Sequence, residues 1–191
     1  MRKKAVFFDK DGVLNKDNGL VAEANKAEIF DDAAHLVALV RKLGYATFIV
    51  TNQPIVARGI VPYEEIQNQL LHFQSLLQQI NPDVNFDKIL FCPHHPDGDS
   101  PVYGINCECR KPKPGMLLNA AKEFDIDLKN SYMIGDRWSD IIAGYLAGCK
   151  TIWLQTGMHV EKMIRTDLPI PENIKPDFIV NDLSEIKNLI Q

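Results

Sequence analysis

The 191-residue chain lacks a strong charge of either sign, since 21 basic and 25 acidic residues leave a formal net charge of −4. No global basic field is available to recruit nucleic acid, so an anionic substrate would have to be attracted by a local cluster. Long apolar runs are missing too. Ahead of Asp9 the only continuous one is Ala5-Val6-Phe7-Phe8, too short for a secretory h-region, and no later segment approaches the ~20 residues of a membrane span. A cytoplasmic protein with no membrane or nucleic-acid partner is expected. Repeats, low-complexity tracts and a convincing interdomain linker are absent, and no insertion is large enough to form a cap. Residues 1–191 are therefore expected to form a single domain. Cysteine is scarce. Cys92, Cys107, Cys109 and Cys149 make a poor disulfide framework, because three of them share one polar loop while Cys149 follows Ala147-Gly148 at a predicted helix end. Cys149 reads as a small buried hydrophobe.

What the chain does contain is an alternation of short apolar strands with amphipathic helices. After the first apolar run, Asp31-Asp32 predicts acidic capping of a helix carrying Leu36, Leu39, Val40 and Leu43, with Gly44 to end it. Tyr45 to Val50 reads as a buried strand. Pro62 opens a helix to about Ile80, striped by Ile66, Leu70, Phe73, Leu76, Leu77 and Ile80. Lys88 to Phe91 is the next strand, and a loop rich in Pro, Gly and Cys runs to Lys113. Pro114 starts a third helix, to about Phe124. The strand Tyr132 to Ile134, a helix with Ile141, Ile142, Tyr145 and Leu146, and the strand Thr151 to Leu154 follow. The tail predicts a strand at Phe178 to Val180 and a helix after Asp182. This order predicts an α/β fold: a three-layer, Rossmann-like parallel sheet with helices on both faces and ligands bound beyond the carboxyl ends of the strands.

That rule gathers three polar segments at one rim: Asp9-Lys10-Asp11-Gly12, Thr51-Asn52-Gln53, and Gly135-Asp136 with Asp140. The two carboxylates of Asp9 and Asp11, spaced i, i+2 off a strand, project to the same side. A calcium loop counted from Asp9 would need glycine sixth and glutamate twelfth, whereas Leu14 and Leu20 stand there. In the polar loop, Cys92-Pro93-His94 and Cys107-Glu108-Cys109 offer three thiolates and one imidazole, suited to closed, tetrahedral, structural zinc. His95 could compete with His94, but Cys-x-His facing Cys-x-Cys is the more specific pattern. Zinc there would fix the Arg110-Lys111 pair that follows.

In their order and placement, Asp9-x-Asp11-Gly12, Thr51-Asn52, Lys111 and Gly135-Asp136-x-x-x-Asp140 resemble the four motifs of the haloacid-dehalogenase-type phosphohydrolases. The resemblance implies that Asp9 is a nucleophile forming an aspartyl-phosphate and that Asp11 is the general acid/base. It further implies magnesium held by Asp9, Asp136 and the backbone carbonyl of Asp11, with Thr51 and Lys111 on the phosphoryl oxygens.

A narrower resemblance spans nearly the whole chain. Thr51-Asn52-Gln53, Ala57-Arg58-Gly59, Cys92-Pro93-His94-His95-Pro96 and Cys107-x-Cys109-Arg110-Lys111-Pro112-x-Pro114-Gly115-Met116 closely resemble the D-glycero-D-manno-heptose 1,7-bisphosphate 7-phosphatases. This implies removal of the C7 phosphate of a small sugar phosphate in the supply of activated heptose for lipopolysaccharide core or other surface glycans, and the missing cap-sized insertion leads one to expect a capless monomer. Arg110, Asp17, Asn18, Gly19, Leu20, Asn52, Gln53 and Pro54 would then line the substrate pocket, with Arg58 a candidate for the remote phosphate.

Three positions depart from that pattern. Pro54 replaces a serine with a backbone donor, Leu20 replaces a tyrosine, and Arg137 replaces a lysine common in relatives. Histidinol-phosphate phosphatase is the nearest alternative, but 12 residues separate His94 from Cys107, a longer insertion than that group leads one to expect. A 3′-phosphatase for nucleic-acid ends finds no basic stripe, and a silent sugar-phosphate binding module does not need the intact set Asp9, Asp11, Thr51, Lys111 and Asp136.

Overall fold

The computed structural model describes residues 2–17, 27–155 and 172–190. In chain order the elements are β1 (Ala5–Phe8), α1 (Ala33–Lys42), β2 (Ala46–Asn52), α2 (Tyr63–Ile80), β3 (Lys88–Cys92), α3 (Gly115–Phe124), β4 (Tyr132–Gly135), α4 (Trp138–Ala147), β5 (Lys150–Leu154), β6 (Phe178–Val180) and α5 (Leu183–Ile186). All strand pairs are parallel, in the order β3-β2-β1-β4-β5-β6. Strand β1 is therefore central, with Phe7 opposite Phe48 on one side and Met133 on the other. The winding reverses between β1 and β4, and such a switch point leaves a crevice beyond the strand ends.

Period-two alternation splits the core into two layers. Val6 and Phe8 pack with Ile49, Ile134 and Ile152 against α1, α5 and the Phe73 and Leu77 side of α2. Ala5 and Phe7 face the opposite way, with Phe48, Val50 and Met133, onto Met116, Leu117 and Ala120 of α3 and Ala143 and Ala147 of α4. The result is the expected three-layer Rossmann-like α/β fold, with no cap among the described residues.

Two expectations about local structure need correction. Asp32 occupies the N-cap of α1, but its side chain makes no capping bond. Its backbone is helical (φ −85°, ψ −8°) rather than extended, and a helical residue does not aim its carboxylate back at the first-turn amides. Asp182, extended at φ −145°, ψ 147°, does cap α5, accepting from the Ser184 N–H at 2.7 Å. The second correction concerns β2, which runs on to Asn52, so Thr51 and Asn52 belong to the strand and inherit its rigidity. Gly44, at φ +86°, ends α1 as its sequence position predicts.

Candidate active site

Sheet pairing carries Asp9 to the rim, for its N–H continues the β1–β4 ladder by donating to the Ile134 carbonyl at 2.9 Å. Residues 10–15 then close a tight turn in which the Lys10 carbonyl accepts from the Leu14 N–H at 2.8 Å and the Gly12 N–H donates to the Asn15 carbonyl at 2.7 Å. Gly12 sits at φ +93°, and a Cβ there would lie 2.2 Å from Asp136 Oδ2. Only glycine lets the nucleophile turn and the β4–α4 loop approach so closely.

Lys111 arrives from the far side of the cysteine loop and is buried among carboxylates. Its ammonium lies 2.7 Å from Asp9 Oδ1 and 2.6 Å from Asp140 Oδ1, and donates to the Val50 carbonyl at 2.7 Å. Asn52 fixes its backbone, as the Asn52 amide nitrogen donates to the Lys111 carbonyl at 3.0 Å and its oxygen accepts from the Lys111 N–H at 3.1 Å. Asp140 also accepts from the Arg137 N–H at 3.1 Å, so one carboxylate ties the β4–α4 loop to the lysine.

The pocket is short of positive charge. Asp9, Asp136 and Asp140 bring carboxylate oxygens within 4.8 Å of one another, and all three residues are buried. Burial pushes the Asp9 carboxyl up to about 7 against the pull of Lys111, with the Asp140 charge adding to the rise. Burial and the Asp9 and Asp140 charges likewise hold Asp136 well above the usual carboxylate range. Burial works against the charged form of Lys111, yet Asp140 and Asp9 outweigh it and hold its ammonium above the usual lysine value. When ionised, three carboxylates against one ammonium leave two negative charges. Such an oxygen-only donor set fits a hard divalent cation such as magnesium, for which Asp9 and Asp136 offer neighbouring carboxylate oxygens.

Asp11 stands on the more open side of the rim. Oδ1 receives Lys10 Nζ and Asn15 Nδ2, the latter at 3.0 Å, and Oδ2 receives Gln53 Nε2 at 3.3 Å. Gln53 Nε2 also donates to Thr51 Oγ1 at 3.0 Å, which leaves the Thr51 hydroxyl proton for another acceptor. Asp17 is buried and ion-paired with Arg137. Asn18, Gly19 and Leu20 lie outside the described residues. The Pro54 carbonyl accepts from the Arg58 N–H at 3.1 Å, and the Arg58 side chain is exposed. Burial lowers the Arg110 guanidinium from its usual value, against the opposing pull of Cys92 and Cys107, with Arg58 and Arg137 adding to the fall.

The sulfur cluster assembles next to this rim. Cys92 Sγ is 3.1 Å from Cys109 Sγ and 3.5 Å from Cys107 Sγ, Cys107 and Cys109 are 3.3 Å apart, and His94 Nδ1 is 3.4 Å from Cys109 Sγ and 3.6 Å from Cys92 Sγ. A Zn–S bond of about 2.3 Å implies tetrahedron edges of roughly 3.7 Å, so the four donors fit a closed zinc site with His94 turning its Nδ1 inward. His95 is directed elsewhere, its Nδ1 accepting from the Asp97 N–H at 3.1 Å. The cluster holds the mouth: the Arg110 N–H meets Cys107 Sγ at 3.3 Å and its guanidinium donates to the His94 carbonyl at 3.2 Å.

Two residues that the motifs do not single out, Lys10 and Asn15, surround Asp11, and Arg137, which departs from the lysine of relatives, pairs with Asp17. The Asp136-x-x-x-Asp140 spacing was a visible signal for Asp140. None existed for Asn15, whose role depends on how the 10–15 turn closes.

Comparison with known proteins matches this geometry. A family model described as HAD-hyrolase-like matches residues 108–186. The D-glycero-beta-D-manno-heptose-1,7-bisphosphate 7-phosphatase of Photorhabdus laumondii is 37% identical over 190 residues, covering 98% of this chain and 95% of the relative. Its namesake from Escherichia coli K12 is 34% identical over 189 residues, covering 98% and 93%. Among solved structures, D,D-heptose 1,7-bisphosphate phosphatase from B. bronchiseptica, complexed with magnesium and phosphate, superposes with a TM-score of 0.79 at 27% identity, covering 97% of both chains. Strand-end carboxylates, the Lys111 bridge and full-length kinship converge: the chain is a phosphatase and belongs to the D-glycero-beta-D-manno-heptose-1,7-bisphosphate 7-phosphatase family of haloacid-dehalogenase-like hydrolases.

Proposed function

We propose that this enzyme removes the C7 phosphate of D-glycero-beta-D-manno-heptose 1,7-bisphosphate, with Asp9 as nucleophile and Asp11 as general acid/base. The observation that carries this reading is the buried Lys111 ammonium joined to both Asp9 and Asp140. A carboxylate attacking a phosphate monoester brings like charges together, at roughly 4 kcal/mol per pair of unit charges ~4 Å apart with an effective dielectric near 20. Lys111 offsets part of that repulsion and holds Asp9 in one orientation. Asp9, Asp136 and the Asp11 carbonyl would hold magnesium, which would supply the remaining positive charge at the phosphoryl group.

In the first half-reaction an Asp9 oxygen bonds to phosphorus and the bond from phosphorus to the C7 oxygen breaks. That oxygen takes its proton from Asp11, giving the free alcohol and an aspartyl-phosphate. In the second, Asp11 removes a proton from water, the water oxygen bonds to phosphorus, and inorganic phosphate leaves Asp9. The Thr51 hydroxyl and Lys111 orient the phosphoryl oxygens. Arg110 contacts the sugar phosphate, together with Asp17 to Leu20 and with Gln53 and Pro54, while Asn52 serves the pocket by holding the Lys111 backbone, and Arg58 meets the remote phosphate. Cys92, His94, Cys107 and Cys109 would hold zinc, which would brace the loop and take no part in the reaction. The reading places a monomeric single-domain enzyme, with its zinc loop at 92–109, in the cytoplasm and in the supply of activated heptose for surface glycans.

The test compares kcat/KM for the beta and alpha anomers of heptose 1,7-bisphosphate and for histidinol phosphate, at saturating magnesium. A preference for the beta bisphosphate is expected, and a preference for histidinol phosphate overturns the substrate assignment. Asp9→Asn is expected to lower kcat by at least about 10⁴-fold without unfolding the protein; unchanged turnover defeats the mechanism.

A further inference from the structure

Lys10 lies between the two motif carboxylates, and nothing in the mechanism above uses it. A residue in that position on a strand would point away from its neighbours, yet the 10–15 turn brings the Lys10 ammonium back onto Asp11 Oδ1. The ammonium also donates to Asn15 Oδ1 at 3.2 Å and lies 5.0 Å from the centroid of the Phe73 ring, within cation–π range. Only 15% of the side chain is exposed. Asn15, itself buried, donates to the same Asp11 Oδ1 at 3.0 Å and to the Lys16 carbonyl at 2.7 Å. Two strong donors are thus committed to Oδ1. Asp11 Oδ2 is left facing Gln53 and, through it, the Thr51 hydroxyl.

We infer that Lys10 is a positioning residue that anchors Asp11 through Oδ1 and so makes Oδ2 the oxygen that exchanges the proton with the leaving group. This inference rests on the proposed role of Asp11 as general acid. The physical argument concerns freedom of rotation. A carboxylate on a turn can rotate about its χ angles and present either oxygen, and proton transfer needs a heavy-atom approach of about 2.6–3.2 Å. Anchoring one oxygen to an ammonium that is itself held by Asn15 and the Phe73 face removes that rotation. Phe73 belongs to the α2 stripe in the core, so the general acid is braced against the body of the fold rather than against a surface loop.

The experiment uses the dependence on the leaving group, because a departing p-nitrophenolate needs no proton while a departing alkoxide does. For Lys10→Met at saturating magnesium, kcat/KM, which reports steps up to formation of the phosphoenzyme, is expected to fall at least about 10-fold for an alkyl or sugar phosphate. For p-nitrophenyl phosphate it should change less than about two-fold, with the Lys10→Arg variant restoring most of the loss on the alkyl substrate. Equal losses on both substrates, or no loss on either, overturn the inference. Lys10→Gln serves as a second variant, and loss of the folded circular-dichroism spectrum in both Met and Gln variants also overturns it, since Lys10 would then be structural. Asp11→Asn separates the two readings. If it shows the leaving-group split and Lys10→Met does not, the positioning role fails alone; if Asp11→Asn shows no split, the general-acid reading fails.

Discussion

Two clusters meet at the mouth of this enzyme, joined through the short segment Cys109-Arg110-Lys111, and they handle charge in opposite ways. The carboxylate cluster of Asp9, Asp136 and Asp140 is fully enclosed by strand ends and loops, and burial raises Asp9 and Asp136 strongly. The sulfur cluster of Cys92, His94, Cys107 and Cys109 is less enclosed, with only Cys92 buried. There the Cys109 thiol is lowered to about 5, chiefly by the hydrogen bond with Cys92, while that same bond and burial raise Cys92. One cluster carries a built-in cation, Lys111; the other is organised by short contacts among its own donors. The difference teaches that the oxygen site is held under electrostatic tension that the fold itself must balance, while the sulfur site is a brace whose loss should be felt mainly by the loop it closes.

The sharpest way to break that comparison is to remove the built-in cation. Lys111→Met leaves Asp9 and Asp140 buried without their counter-charge, and a loss of about 3–5 kcal/mol is expected in denaturant unfolding near neutral pH, together with loss of turnover. A loss below about 1 kcal/mol would mean that the tension is not real. A smaller effect is expected at the sulfur site. Cys92→Ser, or treatment with a zinc chelator if the four donors hold zinc as proposed, should cost about 1–3 kcal/mol and raise hydrogen exchange in residues 92–110 while the β1 and β4 amides stay protected. Uniform loss of protection across the sheet would show that the brace supports the whole fold.

The smallest effect distinguishes the sites by pH. Asp9 titrates near 7 when folded and at about 4 when unfolded, so its contribution to stability is full below about pH 4 and is lost as pH rises through 7. Magnesium, which favours the ionised carboxylates, should therefore raise the thermal midpoint more at about pH 8 than at about pH 5, by roughly 2–4 °C. The Asp9→Asn variant should lose that difference. An equal magnesium shift at both pH values in the parent protein would argue against a cation seated on these carboxylates.

Much of this was legible from one sequence, for a physical reason. Parallel strands that alternate with helices deliver their carboxyl ends to one rim, so Asp9, Thr51 and Asp136 could be gathered from order alone, and the donor pairs Cys92-x-His94 and Cys107-x-Cys109 declared themselves by spacing. Backbone conformation was not legible. Asp31-Asp32 reads as a cap, yet whether Asp32 caps depends on a ψ value that composition does not reveal. The partners of buried donors were also hidden. Asn52 reads as a pocket residue, but its amide is engaged by the Lys111 backbone across 59 positions of chain, a pairing visible only after the cysteine loop returns. The Lys10 and Asn15 hold on Asp11 depends similarly on the closing of a turn.

The Asn52 clasp has an evolutionary corollary. By exchanging a donor and an acceptor with the Lys111 peptide, one side chain does what a neighbouring strand would do, splicing a single distant residue onto the end of β2. The address of the lysine is thereby decoupled from the length of chain that delivers it. Between the two donor pairs, from His95 to Asn106, the chain can then vary in length while the ammonium keeps its place.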